Sequence, residues 1–200
     1  TEYVYGEKLD LSNAKARITY DSGYVEDNVP FTELGEYGVT IGYPNDDGTI
    51  TAAKDGDVLT VPDHNGKCIE LLAQSTHKVP TVQTDNLTVE KRVLEYGECI
   101  VNPIVYDGKT LQTTGTIAFS NVQNNDKVTA TGEFSFEDFN AGKDKTVNIL
   151  NVKLDKPFDE NYELSSDNVL SKGNIEKATL TVLLKEDDIS ISDESNILTV

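Results

Sequence analysis

The chain has 200 residues, 26% of them charged, and its 35 acidic against 17 basic side chains leave a formal charge of −18 at pH 7. That balance excludes the basic footprint nucleic acid requires and works against docking on anionic lipid. No apolar run reaches the roughly 18 residues of a membrane-spanning helix, so no membrane insertion is expected in this segment. The apolar share of 37% is low, but regular alternation of apolar and polar positions separates the sequence from a disordered acidic tract. The length suits two domains of about 100 residues each. The sequence opens on Thr1 and contains no Met, so it is read as a piece of a longer polypeptide.

Strand signals dominate from the start. Leu9 and Leu11 alternate with Lys8 and Asp10, and Ile18 and Tyr20 with Arg17 and Thr19. Asp21-Ser22-Gly23 then marks a hairpin turn, because tight loops need positive φ and glycine adopts it without strain. Val25 to Phe31 reads as the partner strand, with Pro30 near its end. Val39 and Ile41 belong to another strand, closed by Pro44-Asn45-Asp46-Asp47-Gly48. Val58 to Val61 and Cys68 to Leu72 are expected to flank a hairpin turn at Asp63-His64-Asn65-Gly66. The polar stretch Ser75 to Thr81, with Pro80 inside it, is where the composition shifts and a boundary is expected.

Beyond it, the expected strands are Leu87 to Val89, Cys99 to Val105, Gly115 to Phe119, Lys127 to Phe136, Thr146 to Leu154 and Ala178 to Leu184. Turn chemistry appears at Tyr106-Asp107-Gly108, Asn124-Asn125-Asp126 and Asn140-Ala141-Gly142. Helical turns are expected only at Glu137 to Asn140 and Asp159 to Tyr162. Asn86-Leu87-Thr88-Val89 returns as Asn196-Ile197-Leu198-Thr199-Val200, about one module length later, an echo of the kind arrays carry. The fold expected is all-β: two tandem immunoglobulin-like antiparallel β-sandwich domains at 1–79 and 80–185. Residues 186–200 are then a tail or the opening of a further module.

Candidate chemistry is sparse. The two histidines, His64 and His77, both fall in loops with no nucleophile motif beside them, so no catalytic triad is expected. Paired acids are abundant, but a solvated acidic face explains them better than a glycosidase dyad. Asp46, Asp47, Asp55 and Asp57, with Glu186-Asp187-Asp188, offer hard oxygens that suit a structural calcium ion. None has the spacing of a calcium loop, and Asp-Gly is ordinary turn chemistry. No other cofactor is expected, and no Cys or His spacing suits zinc. Cys68 and Cys99 lie one in each half amid apolar neighbours, and read as core filler, with a bridge between the domains as the alternative.

The nine tyrosines are concentrated in the first half, at Tyr3, Tyr5, Tyr20, Tyr24, Tyr37 and Tyr43. Tyrosine on half-buried strands usually packs, although an exposed group could serve as a sugar platform. Lys15, Lys127 and Lys145 lie near strand signals, where a covalent bond to Asn or Asp would need a buried acid beside it. Asn86-Leu87-Thr88 fits the three-residue glycosylation acceptor pattern.

The stretch Tyr5-Gly6-Glu7-Lys8-Leu9-Asp10-Leu11-Ser12-Asn13-Ala14-Lys15, followed by Tyr20-Asp21-Ser22-Gly23, resembles the bacterial group 3 Ig-like family. In the second half, Tyr106-Asp107-Gly108-Lys109-Thr110, Asn125-Asp126-Lys127-Val128 and Phe136 to Val147 occur in order. Asn161-Tyr162-Glu163-Leu164 and Ile175 to Leu180 complete a pattern similar to the YDG module of bacterial surface proteins. These resemblances imply non-catalytic spacer modules of a secreted or surface-anchored bacterial adhesin. The expected chain is a monomer whose main partners are neighbouring modules of the same polypeptide. A binding module for host glycans or proteins is the second reading, and an accessory region of a carbohydrate-active enzyme the third.

Overall fold

A computed structural model describes residues 2–73 and 82–181, with the backbone of two further short strands near the C-terminus. The chain is all-β, with strands far outnumbering its short helical turns. In chain order the first half holds β1 (Glu2–Val4), β2 (Lys15–Thr19), β3 (Val25–Pro30), β4 (Val39–Pro44), β5 (Ile50–Ala52), α1 (Val61–His64), β6 (Glu70–Ala73), β7 (Val82–Gln83) and β8 (Thr88–Glu90). The second holds β9 (Arg92–Leu94), β10 (Ile100–Val101), β11 (Ile104–Val105), β12 (Gln112–Thr113), β13 (Gly115–Thr116), β14 (Ala130–Phe136), β15 (Gly142–Leu154), β16 (Tyr162–Leu164) and β17 (Val169–Glu176). The short pair β18 (Ser190–Ile191) and β19 (Leu198–Thr199) is antiparallel.

In the first half, β2 and β3 form the hairpin read from the sequence. Gly23 sits at φ +83° and its amide donates to the Tyr20 carbonyl at 2.8 Å. A four-stranded antiparallel sheet runs β5-β4-β6-β7. Leu9 and Leu11 turn inward as their alternation predicts, and join Tyr43, Ala53, Leu59, Ile69, Leu87 and Val89 in one core.

Two local expectations give way here. The strand expected to reach Phe31 stops at Pro30, and Phe31–Tyr37 winds into a 3₁₀ helix anchored by buried Leu34 and ended by left-handed Gly38. The expected hairpin turn at Asp63–Gly66 is instead led by a single helical turn. Thr60 caps it by accepting from the Asp63 amide, and Pro62 tolerates its first turn because no N–H is needed there. The boundary expected at 79/80 lies outside the described residues. Leu87 and Val89 complete the first core, and β8 pairs with β1, so packing changes hands only at Lys91.

The second half is organised on a five-stranded sheet in the order β11-β17-β15-β14-β12. Phe134, Phe136, Val147, Ile149, Val152 and Ile175 face inward from it, against Cys99 and Ile117. A bulge makes this face continuous. Between β14 and β15 the register slips where Asn151 takes φ +54°, so Val147 and Ile149 share a side with Val152 despite the odd-to-even step. Gly132 lies opposite the bulge, where a Cβ would stand 3.1 Å from both Ile117 and Ile149.

The expectation of purely antiparallel sheets is corrected by three parallel pairings: β1 with β8, β9 with β16, and β11 with β17. Alternation does not announce strands β1, β5, β7, β9, β12, β16 and β17, and the strand expected at Val58–Val61 does not form. Residues 178–181, expected to begin a strand, have no regular structure, and the rest of Ala178–Leu184 lies outside the described residues. Glu137–Asn140 is a bend. Helical character near Asp159 is confined to Phe158–Glu160, and Tyr162 already belongs to β16.

Candidate functional site

The most elaborate polar arrangement in the chain lies where the two halves meet. The Gln123–Asp126 turn supplies its centre. Asn124 and Asn125 take φ of +54° and +59°, and the Asp126 amide donates to the Gln123 carbonyl at 2.9 Å. Asparagine tolerates the left-handed region better than other side chains, which is why this sequence can turn so tightly. The turn aims the Asp126 carboxylate at two tyrosines. One Asp126 oxygen, Oδ2, accepts from the Tyr5 hydroxyl and from the Tyr162 hydroxyl, each at 2.8 Å. Tyr162 also accepts from the Gln123 amide at 3.0 Å, and Asn124 donates to the Tyr5 hydroxyl at 3.3 Å. Burial is the leading cause that raises both phenols, and the adjacent Asp126 charge adds to it.

Around this centre the halves exchange backbone contacts. The Val61 amide opening α1 donates to Asn161 Oδ1 at 2.8 Å, so a residue of the second half caps a helical turn of the first. Arg92 Nε donates to the Tyr5 carbonyl at 2.9 Å and Lys91 Nζ to the Asp159 carbonyl. Tyr5, Leu94 and Tyr162 are 5%, 0% and 1% exposed and form a small core of their own. Burial of each such side chain contributes roughly 1.5–3 kcal/mol before entropic costs. Gly6, at φ +88°, lets the backbone pass Gln123 where a Cβ would approach to 2.8 Å. The chemistry available here is that of a fastener, since every polar group named is engaged by another.

A second arrangement faces solvent. Tyr20, Tyr24 and Tyr37 are 40%, 61% and 37% exposed, with the Tyr20 and Tyr24 rings 5.6 Å apart at the tip of the β2–β3 hairpin. Glu26 stands beside them. Its carboxylate pushes the Tyr37 hydroxyl up to about 12, and partial burial with the same carboxylate raises Tyr20. By contrast Tyr3, Tyr5 and Tyr43 pack inward.

The Tyr106-Asp107-Gly108 motif is a turn cap. Asp107 Oδ1 accepts from the Lys109 and Thr110 amides at 3.0 and 2.7 Å, and Oδ2 from the Thr110 hydroxyl at 2.5 Å. Those bonds to the ionised form, led by the Thr110 hydroxyl, hold its carboxyl down at about 2. Gly108 supplies the φ of +80° that the turn needs.

The calcium candidates are not brought together. Asp47 accepts from the Thr49 amide and hydroxyl, Asp55 from the Leu11 amide at 2.7 Å, and Asp57 from the Lys54 amide at 2.7 Å. Asp46 stands on the turn between β4 and β5 and is exposed. Among the described residues no three of His, Cys, Asp and Glu converge; Glu186–Asp188 lie outside them, as does His77. His64 accepts from the Thr60 amide through Nδ1 and packs edge-on against Tyr43, so its ring helps fix α1. Cys68 and Cys99 are buried free thiols. Lys145 donates to Asp138 at 2.6 Å as an ion pair, which lowers the Asp138 carboxyl, while Lys15 and Lys127 are exposed. Among the described residues, an open hollow of about 800 Å³ lies beside the seam at Val4, Glu90 and Arg92, and another of about 590 Å³ between Tyr106, Ala141 and Leu180.

Asn124–Asp126 is legible as a turn, but nothing in the sequence joins it, or Asn161-Tyr162, to Tyr5. No periodicity signals a contact between residues so far apart in the chain. Comparison with curated proteins and with solved structures gives no match. Comparison with protein families does: residues 103–169, which carry the Asp107 turn, the Asp126 turn and Tyr162, match the YDG domain.

Proposed function

We propose that the chain is a pair of structural modules from a secreted or surface-anchored bacterial protein of adhesin type. They hold neighbouring parts of the same polypeptide at a set distance and carry no catalysis of their own. Each half is read as a two-layer immunoglobulin-like sandwich, the first of the bacterial group 3 kind and the second of the YDG kind, divided at Lys91. The single observation that supports this reading is the seam: Asp126 of one half receives hydroxyls from both halves, which favours a fixed rather than a hinged junction. An acidic surface of −18 would keep such a monomeric link soluble and discourage pairing at open sheet edges. Small-angle X-ray scattering tests it. A spacer gives one concentration-independent particle whose length does not change with ionic strength, whereas a profile that needs an ensemble of bent forms contradicts the reading.

A second reading, a binding module for host glycans or proteins, is favoured by the exposed Tyr20, Tyr24 and Tyr37 around Glu26. Flat rings stack on sugar faces, and a carboxylate accepts from sugar hydroxyls. Saturable binding on a glycan array that Tyr24→Ala abolishes would establish it; a blank array leaves the spacer role alone.

A further inference from the structure

We propose that the chain bears tensile load, because both halves hold strands near their ends in parallel pairs that load in shear. The proposal deepens the spacer reading and rests on it for its purpose, while the mechanics follow from register alone.

In the first half β1 is the first described strand and β8 the last before Lys91. These strands are parallel, with Glu2 opposite Thr88, Tyr3 opposite Val89 and Val4 opposite Glu90, and the Tyr5 amide adds a bond to the Glu90 carbonyl at 2.9 Å. Tension before Glu2 and after Lys91 pulls the two strands in opposite senses along one axis. All the rungs then carry load together, and Val89 cannot slide without leaving the core. An antiparallel hairpin pulled at its open end parts one rung at a time.

In the second half the first strand and the last described strand of the main sheet each lie in a parallel pair, with internal strands and not with each other. Its first strand, β9, lies parallel to β16, Arg92 opposite Tyr162 through Leu94 opposite Leu164, and the Arg92 amide donates to the Asn161 carbonyl at 3.0 Å. The last described strand of its main sheet, β17, ends parallel to β11, Ile104 opposite Ile175 and Val105 opposite Glu176, with the Tyr106 amide on the Glu176 carbonyl at 2.8 Å. Leu94 and Ile175 are buried, so slippage of either strand exposes core. The seam adds a tie in parallel with the covalent link at Lys91: Tyr5, directly after β1, is held by Asp126 and Arg92. Rupture under load is governed by the unfolding barrier in the pulling direction and not by equilibrium stability.

Loading direction is the test. The whole chain is pulled by its ends in optical tweezers, and the rupture of the second half is compared with that of the same protein pulled through handles at Thr129→Cys and Lys156→Cys, with Cys68 and Cys99 changed to Ala. These positions flank the open end of the antiparallel β14–β15 pair, so this geometry peels. Lys127→Cys with Lys156→Cys repeats the peeling geometry if the first pair does not fold. End-to-end pulling is expected to need several-fold more force than peeling, at unchanged urea stability. Equal or lower force from the ends overturns the proposal. Bent particles in scattering, with this difference intact, would remove the spacer reading but leave the shear geometry standing.

Discussion

Tyr5 and Tyr162 meet edge to face, ring centroids 5.0 Å apart at 83°, and both hydroxyls donate to one oxygen of Asp126. A residue near the start of the chain and one near the end of the second half thus share a single carboxylate. The contact is local in space and invisible in the sequence. It turns two small cores into a joined pair.

Tyr162→Phe removes the hydroxyl that donates to Asp126 and accepts from the Gln123 amide, both largely shielded from water. Loss of partners for such groups costs about 1–3 kcal/mol. Urea unfolding should show that loss, and hydrogen exchange should rise at Gln123. Tyr24→Phe, at an exposed ring, is the control and should stay within about 0.5 kcal/mol.

Gly115→Ala tests the second core. A Cβ there would stand 2.2 Å from the Ile100 carbonyl oxygen and 2.6 Å from Phe134, so the β10–β13 pairing or the ring must shift. Overpacking of this kind costs about 1–3 kcal/mol. Thermal unfolding should fall accordingly, and an unchanged midpoint would mean that β13 does not pack as described.

Asn151 tests the bulge. Its φ of +54° is one that branched side chains resist. Asn151→Val should destabilise by about 1–2 kcal/mol while Asn151→Gly stays near neutral. Equal losses from both would show that the side chain and not the backbone matters.

Asp107 gives the pH dependence. Its carboxyl is held at about 2, below the ordinary 3.8, by the Thr110 hydroxyl and the Thr110 and Lys109 amides. A depressed folded value means that the turn gains stability above the unfolded value and loses it as pH falls from about 4 towards 2. A carboxyl NMR titration should place the Asp107 inflection near 2, with the Thr110 amide shifting in step. An inflection near 4 would show the cap is not formed.

Much of the fold was legible because period-two patterning reports burial directly. Leu9 and Leu11, the β2–β3 hairpin and the inward phenylalanines of β14 follow from alternation and turn residues. β17 was missed because Lys172, Gly173 and Asn174 look like a loop, whereas Gly173 is required where a Cβ would press within 2.8 Å of Val101. Composition marks the polar, Pro80-bearing stretch but does not reveal that Leu87 and Val89, beyond it, pack in the first core. The Asp126 turn was legible as a turn. Its partners were not, since parallel pairing and contacts across the seam leave no spacing to read.

The central claim is that the two halves are fastened through Asp126. Spin labels at Asn13→Cys and Asn140→Cys, with Cys68 and Cys99 changed to Ala, report the distance across the seam by pulsed electron resonance. The account predicts one narrow distance peak that broadens when Asp126→Ala and Tyr162→Phe are combined. A broad distribution in the parent, or a narrow one indifferent to those substitutions, would contradict it.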